Sequence, residues 1–188
     1  MERFFNTAGP NIPEDSYTLD PLKRLDLEDI ITLIRQKRYF VLHAPRQTGK
    51  TSCVLALRDH LNASGEYIAV YANVEGGQAA RNDIKSVVRT VCGSIAEAFR
   101  LVVDQEIPLQ LRERIDSVDP NEMLKTYLRL LTEAFDKPLV LILDEIDALV
   151  GDGLVSVLRQ IPPIQPHTLW RHWKYRCRHR FYIPQLLH

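Results

Sequence analysis

Two short stretches of this chain carry residues suited to holding charge. The first is Ala44-Pro45-Arg46-Gln47-Thr48-Gly49-Lys50-Thr51, between the apolar run Tyr39-Phe40-Val41-Leu42 and the helix-like Ser52-Cys53-Val54-Leu55-Ala56-Leu57. The second is Asp144-Glu145-Ile146-Asp147, which ends the apolar run Leu139-Val140-Leu141-Ile142-Leu143. A loop set between a strand and a helix can turn its backbone N–H groups inward around a phosphate chain. The helix start adds further N–H donors and the positive end of its dipole, so anions are favoured there. Lys50 would reach the terminal phosphates as a point charge, and the Thr51 hydroxyl would enter the shell of a Mg²⁺ ion.

The first stretch meets the pattern G-x-x-x-x-G-K-[ST] at Gly49, Lys50 and Thr51 and departs from it at Ala44. That departure matters only where the position needs a positive φ, which residues other than glycine, asparagine and aspartate seldom adopt. A Gly-Lys-Thr turn capping an ordinary helix is the plain alternative. The flanking strand and helix patterns favour the phosphate-binding reading, with Ala44, Pro45, Arg46, Gln47, Thr48, Gly49, Lys50, Thr51 and Ser52 as its residues.

The elements that position these stretches follow from periodicity and punctuation. Residues 1–25 form an N-terminal arm, broken by Pro10, Pro13 and Pro21. A core is expected over 26–161. Asp26 and an acidic first turn open a short helix with Leu27, Ile30, Ile31 and Ile34 inward, leading to a first strand at Tyr39–Leu42. The helix after the loop is expected to run to about Ala63, with Gly65 as its stop. Glu66–Ala72 reads as a strand, and about Asn82–Val103 as a helix buried through Val87, Val88, Val91, Ile95 and Phe99. Leu101–Val118 is expected to be irregular around Pro108, with a helical turn at Leu109–Arg112 as the alternative. Asp119-Pro120 reads as the start of the next helix. Leu139–Leu143 reads as a strand covered on both faces, and Ala148–Ile161 as a further helix. Alternating strands and helices predict an α/β fold with a parallel sheet and right-handed crossovers.

In such a sheet ligands bind beyond the carboxyl ends of the strands, so the two charged stretches are expected to converge. Asp144 would hold Mg²⁺ through its water shell, opposite Thr51. Glu145 is placed to orient, or take a proton from, a water attacking the terminal phosphate. A solvated Asp-Glu pair capping the following helix is the alternative. Asp147 reads as a helix cap, or as a residue standing behind the ligands, rather than as a ligand itself.

Ala44–Ser52 together with Leu139–Asp147 resembles the catalytic-glutamate branch of P-loop ATPases, the group of AAA-like and STAND-like ATPases. The resemblance covers roughly residues 20–160. It implies ATP and Mg²⁺ as cofactors, Glu145 and Lys50 as catalytic residues, Thr51 and Asp144 at the metal, and a switch or motor acting on a protein effector or a further C-terminal domain. It also makes Tyr17, Asp20 or Pro21 candidates for adenine contact. Asn73 is similar to a polar residue that restrains the catalytic glutamate in some members, against the plainer reading of a loop asparagine. Such proteins insert a sensor strand between the phosphate-loop strand and the acidic strand, then add a last strand and a helical lid. Neither is evident in the 41 residues after Asp147. The expected fold is therefore an incomplete P-loop NTPase core. Without the shared neighbour, the two strands would carry unpaired backbone groups.

Composition sets the remaining bounds. The 188 residues are 45% hydrophobic with zero formal net charge, which fits one globular domain. All 24 acidic residues lie at or before Asp152. From Pro162 the character changes: residues 162–188 hold both tryptophans, four of the six histidines and the basic series Arg171, Lys174, Arg176, Arg178 and Arg180. A truncated or frame-shifted end is one reading of this tail. A strand alternating at Trp173, Tyr175, Cys177, His179 and Phe181 is another, and nucleic-acid contact a third. The last supports an alternative function, a non-hydrolysing nucleotide-binding or DNA-associated protein. A small-molecule kinase is disfavoured by Asp144-Glu145 after a buried strand. Cys53, Cys92 and Cys177 form no C-x-x-C pair, no apolar run approaches the ~20 residues of a membrane span, and a soluble cytoplasmic protein is expected.

Overall fold

The computed structural model describes residues 20–45 and 48–161. The arm before residue 20, the tail from residue 162, and Arg46 and Gln47 lie outside the described residues, and with them Tyr17 and the three readings of the tail. The described residues divide into two compact units, one up to residue 57 and one from residue 58 to residue 161.

In the first unit a 3-10 turn at Pro21–Arg24 precedes helix α1, Leu27–Arg35. Asp20 caps the turn, its carboxylate accepting from the Leu22 amide at 3.0 Å. Helix α1 buries Ile30, Leu33 and Ile34. The strand expected at Tyr39–Leu42 is not formed: residues 38–45 join no ladder, and Tyr39 and Val41 are exposed. An apolar run becomes a strand only when a neighbour takes its backbone groups. Helix α2, Lys50–Ala63, begins in this unit and ends in the second. Gly65, at φ +72°, supplies the left-handed residue that stops it.

The second unit holds the parallel pair β1, Ile68–Asn73, and β2, Leu139–Asp144, in register from Ile68 opposite Leu139 to Asn73 opposite Asp144. Between them come α3, Ile84–Val103, α4, Ile107–Arg114, and α5, Met123–Ala134; after β2 comes α6, Gly151–Gln160. Period-two alternation divides the sheet into two faces. Ile68, Val70, Ala72, Leu139, Leu141 and Leu143 face the core, where Val87, Val91, Ile95 and Phe99 of α3 meet Met123, Leu124, Tyr127 and Leu131 of α5. Tyr71, Asn73, Ile142 and Asp144 share the opposite face. Strand β2 is half-buried along Leu139–Leu143 and fully buried only at Asp144, so the expected double cover is not complete.

Three boundaries differ from the sequence reading. Residues 107–114 are helical, with Pro108 in the first turn, where its missing N–H costs no hydrogen bond. Asp119-Pro120 does not open α5: Asp119 Oδ1 accepts from the Asn121 amide at 2.8 Å in a turn, and the helix starts at Met123. Asp147 does not cap α6. It lies exposed in a 3-10 turn, Ile146–Ala148, and the N-cap of α6 is Val150. Among the described residues no helix is long and apolar enough to cross a membrane.

Candidate functional site

In the first unit the Gly-Lys-Thr stretch forms a tight turn into a helix. Gly49 sits at φ +77° and Lys50 is the first residue of α2. The helical ladder opens with the Cys53 amide donating to the Gly49 carbonyl at 3.0 Å, so the amides of the first turn lie ahead of that ladder, at the positive end of the helix dipole. Thr48 Oγ1 donates to the Pro45 carbonyl at 2.8 Å and tightens the approach. Ala44 is not among the residues of positive φ, so its methyl group costs nothing there.

Arg24 also belongs to this turn, and its role was not read from the sequence. Its guanidinium donates through Nη2 to the Thr48 carbonyl. A Cβ at Gly49 would stand 2.7 Å from Arg24 Nη1, the movable end of a long side chain, so glycine is favoured there chiefly for its φ of +77°. Nothing in a lone arginine ahead of α1 marked it out. Asp20 and Pro21 are committed to the turn that presents Arg24.

In the second unit the acidic pair stands at the carboxyl end of β2. Asp144 is 5% exposed. Its Oδ1 accepts from the Glu145 amide at 3.0 Å, its Oδ2 from the Tyr71 hydroxyl at 3.1 Å, and its carbonyl from the Val74 amide at 3.1 Å. Burial, followed by the charge and hydrogen bond of Asp144 and the charge of Glu145, pushes the Tyr71 phenol up to about 12, against a lowering by Arg58. Glu145 is half-buried and adopts a left-handed conformation, φ 57° and ψ 33°. Such a geometry costs a non-glycine residue about 1 kcal/mol and is a recurring form of strain at functional sites.

Asn73 lies directly opposite Asp144 in the ladder, yet its Oδ1 accepts from the Glu75 amide at 2.8 Å. This is the plainer of its two readings, an asparagine ordering a loop. Tyr71 contacts the acidic pair instead. Its signal was faint in the sequence, because a tyrosine inside an apolar strand ordinarily reads as core.

The second unit thus brings Tyr71, Asp144 and Glu145 together, and the first brings together Arg24, Thr48, Gly49 and Lys50. Among the described residues no group of three or more His, Cys, Asp or Glu side chains could hold a metal by itself. Each unit by itself offers one oxygen donor, the Thr51 hydroxyl in the first and the buried Asp144 carboxylate in the second, of the kind a hard cation such as Mg²⁺ takes alongside waters and phosphates.

Parallel strands joined through helices, an acidic pair at a strand's carboxyl end and a Gly-Lys-Thr turn opening a helix are consistent with a partial P-loop-like α/β core. The family model of the AAA-like domain matches residues 21–159, a span that includes both charged stretches. The chain belongs to this AAA-like domain family. No curated protein and no solved structure matches it.

Proposed function

We propose that this chain is an ATP-binding module whose Mg²⁺-dependent hydrolysis serves a switch or motor acting on a protein effector or an attached domain. The observation that carries this reading is the single AAA-like match over residues 21–159, which takes in Gly49-Lys50-Thr51 and Asp144-Glu145 together. The left-handed Gly49 and the helix start at Lys50 support phosphate binding, because they set backbone donors and a helix dipole where an anion is stabilised. Lys50 binds the terminal phosphates as a point charge, and Arg24 adds a second cation beside the turn. Thr51 and Asp144 are the residues that would hold the metal, and Mg²⁺, when bound, would supply neutralisation of charge on the phosphates. Glu145 orients the attacking water and accepts its proton.

Turnover by the isolated chain is slow. Among the described residues the ladder holds two strands, and the run leading into the loop is assigned to no strand. Transition-state stabilisation depends on groups fixed before reaction, and a loop without a strand ahead of it is fixed poorly. Equilibrium titration of the chain with a fluorescent methylanthraniloyl ATP, alongside phosphate release, tests the reading. Weak Mg²⁺-dependent binding, lost in Lys50→Ala and kept in Glu145→Gln, is expected. No binding by the unmodified chain, or binding indifferent to Lys50→Ala, refutes nucleotide binding at this loop. Fast phosphate release by the unmodified chain, removed by both substitutions, refutes slow turnover.

A further inference from the structure

Asp144 takes hydrogen bonds on its carbonyl, Oδ1 and Oδ2. The first two come from the main-chain amides of Val74 and Glu145. The third comes from a side chain of the neighbouring strand, the Tyr71 hydroxyl at 3.1 Å, and it bears directly on the plane of the carboxylate. The strand register fixes where the phenol comes from: Tyr71 pairs with Ile142, two residues before Asp144 on the same face, so the tyrosine reaches diagonally along the ladder. The residue directly opposite Asp144, Asn73, is engaged with the Glu75 amide.

We propose that Tyr71 is a positioning residue for the divalent cation, orienting the Asp144 carboxylate so that it can hold the ion or the ion's water. The proposal rests on the Mg²⁺–ATP reading above. A hydroxyl that donates to one oxygen of a carboxylate fixes the direction in which its remaining lone pairs face, and groups of this kind commonly tune metal affinity ten-fold or more. Tyr71 itself touches neither metal nor nucleotide in this role.

The test is the ratio of methylanthraniloyl-ATP affinity with Mg²⁺ to that in EDTA, measured on the full chain. Tyr71→Phe keeps the ring and removes the donor. It is expected to lower the ratio about ten-fold, and to have no further effect on the ratio in an Asp144→Asn background. A second readout needs no change at Tyr71: Mg²⁺ added to the nucleotide complex of the unmodified chain should perturb tyrosine near-ultraviolet absorbance, and should not do so in Asp144→Asn. An unchanged ratio in Tyr71→Phe, with a Mg²⁺-dependent unmodified chain, overturns the positioning role and leaves the ATP reading standing. Equal losses with Mg²⁺ and in EDTA assign Tyr71 to fold stability alone and also overturn it. A missing absorbance change in a chain that binds Mg²⁺–ATP does the same. If the unmodified chain shows no nucleotide binding or no Mg²⁺ dependence, the ATP reading itself fails and the positioning role falls with it.

Discussion

The Tyr71 hydroxyl donates to Asp144 Oδ2 at 3.1 Å between neighbouring parallel strands, which places a phenol against a buried carboxylate. Losing the phenol proton would set one anion against another, and this adds to the burial that already pushes Tyr71 up from 10.0 to about 12. Cys92, in the core of the second unit, is pushed up from 9.0 to about 12, chiefly by burial. Tyr127 is raised as well, first by burial and then by Cys92.

In each case the folded state keeps the proton that the unfolded chain releases, so stability is fully present below the ordinary values and is lost as pH rises toward the folded ones. Urea unfolding is therefore expected to give a free energy that is level up to about pH 9 and falls steadily toward about pH 12. Tyr71→Phe should lessen the fall above pH 10.0, where Tyr127 also contributes, and leave the part that begins at the cysteine. A free energy level through pH 12 in the unmodified chain would contradict the burial of these groups.

Glu145 combines a strained backbone with the role proposed for it, and the two separate by substitution. Its φ of 57° suits glycine. Relief of about 1–2 kcal/mol of left-handed strain exceeds the gain in unfolded-chain freedom, about 0.4–1 kcal/mol. Glu145→Gly should therefore unfold at a slightly higher temperature, by up to about 1 kcal/mol of stability, while phosphate release stops. Glu145→Gln should leave the melting temperature unchanged and also stop release. A lower melting temperature in the glycine variant would show that the Glu145 side chain supports the fold more than its backbone strains it.

The second unit was largely legible in the sequence, and physics explains the parts that were not. Leu139–Leu143 and Ile68–Ala72 were readable as strands because each could find the other. Tyr39–Leu42 is similarly apolar, but a strand depends on a ladder, and among the described residues this run is assigned to none. The α4 helix was obscured because proline reads as a breaker unless its place in the first turn is known. Arg24 and Tyr71 were invisible for a different reason. Their roles depend on contacts 24 and 73 residues away in sequence, and no local pattern encodes those. By contrast, Gly49 and Gly65 announced their own backbone geometry.

Gln160 is an example of such a distant contact used to hold helices together. It is 2% exposed at the end of α6. Its Oε1 accepts from the Leu124 amide in the first turn of α5 at 2.8 Å, and its Nε2 donates to the Pro120 carbonyl at 2.8 Å and to Ser156 Oγ at 2.9 Å. It therefore caps a helix to which it does not belong. Gln160→Leu keeps the volume and strands two main-chain groups, which should cost about 2–4 kcal/mol in urea unfolding. Gln160→Glu keeps the acceptor for Leu124 and, when protonated, a donor for Pro120, so it should be mild at low pH and worse at neutral pH, where the donor is lost and a buried charge is added. A loss within about 0.5 kcal/mol for the leucine variant would show that the stranded groups find other partners.

Asn62 does the same for strand β1, at the fully buried Ala69. Alternation in β1 leaves the Ala69 N–H and C=O directed away from β2, toward the open edge. The Asn62 side chain takes both, Oδ1 accepting from the amide at 2.9 Å and Nδ2 donating to the carbonyl at 2.8 Å. One amide side chain thus stands in for a neighbouring strand and closes the edge to pairing with another chain. Asn62→Leu should cost about 2–3 kcal/mol and make the chain associate with rising concentration, which light scattering detects. Asn62→Asp is the sharper test. At neutral pH its carboxylate still accepts from the Ala69 amide but sets a charge against the carbonyl, whereas its protonated form can donate. The folded state then favours the protonated group, so the deficit relative to the unmodified chain should shrink as pH falls through the carboxylate range. A deficit that is constant or grows on acidification would show that Asn62 does not bridge the Ala69 peptide groups in solution.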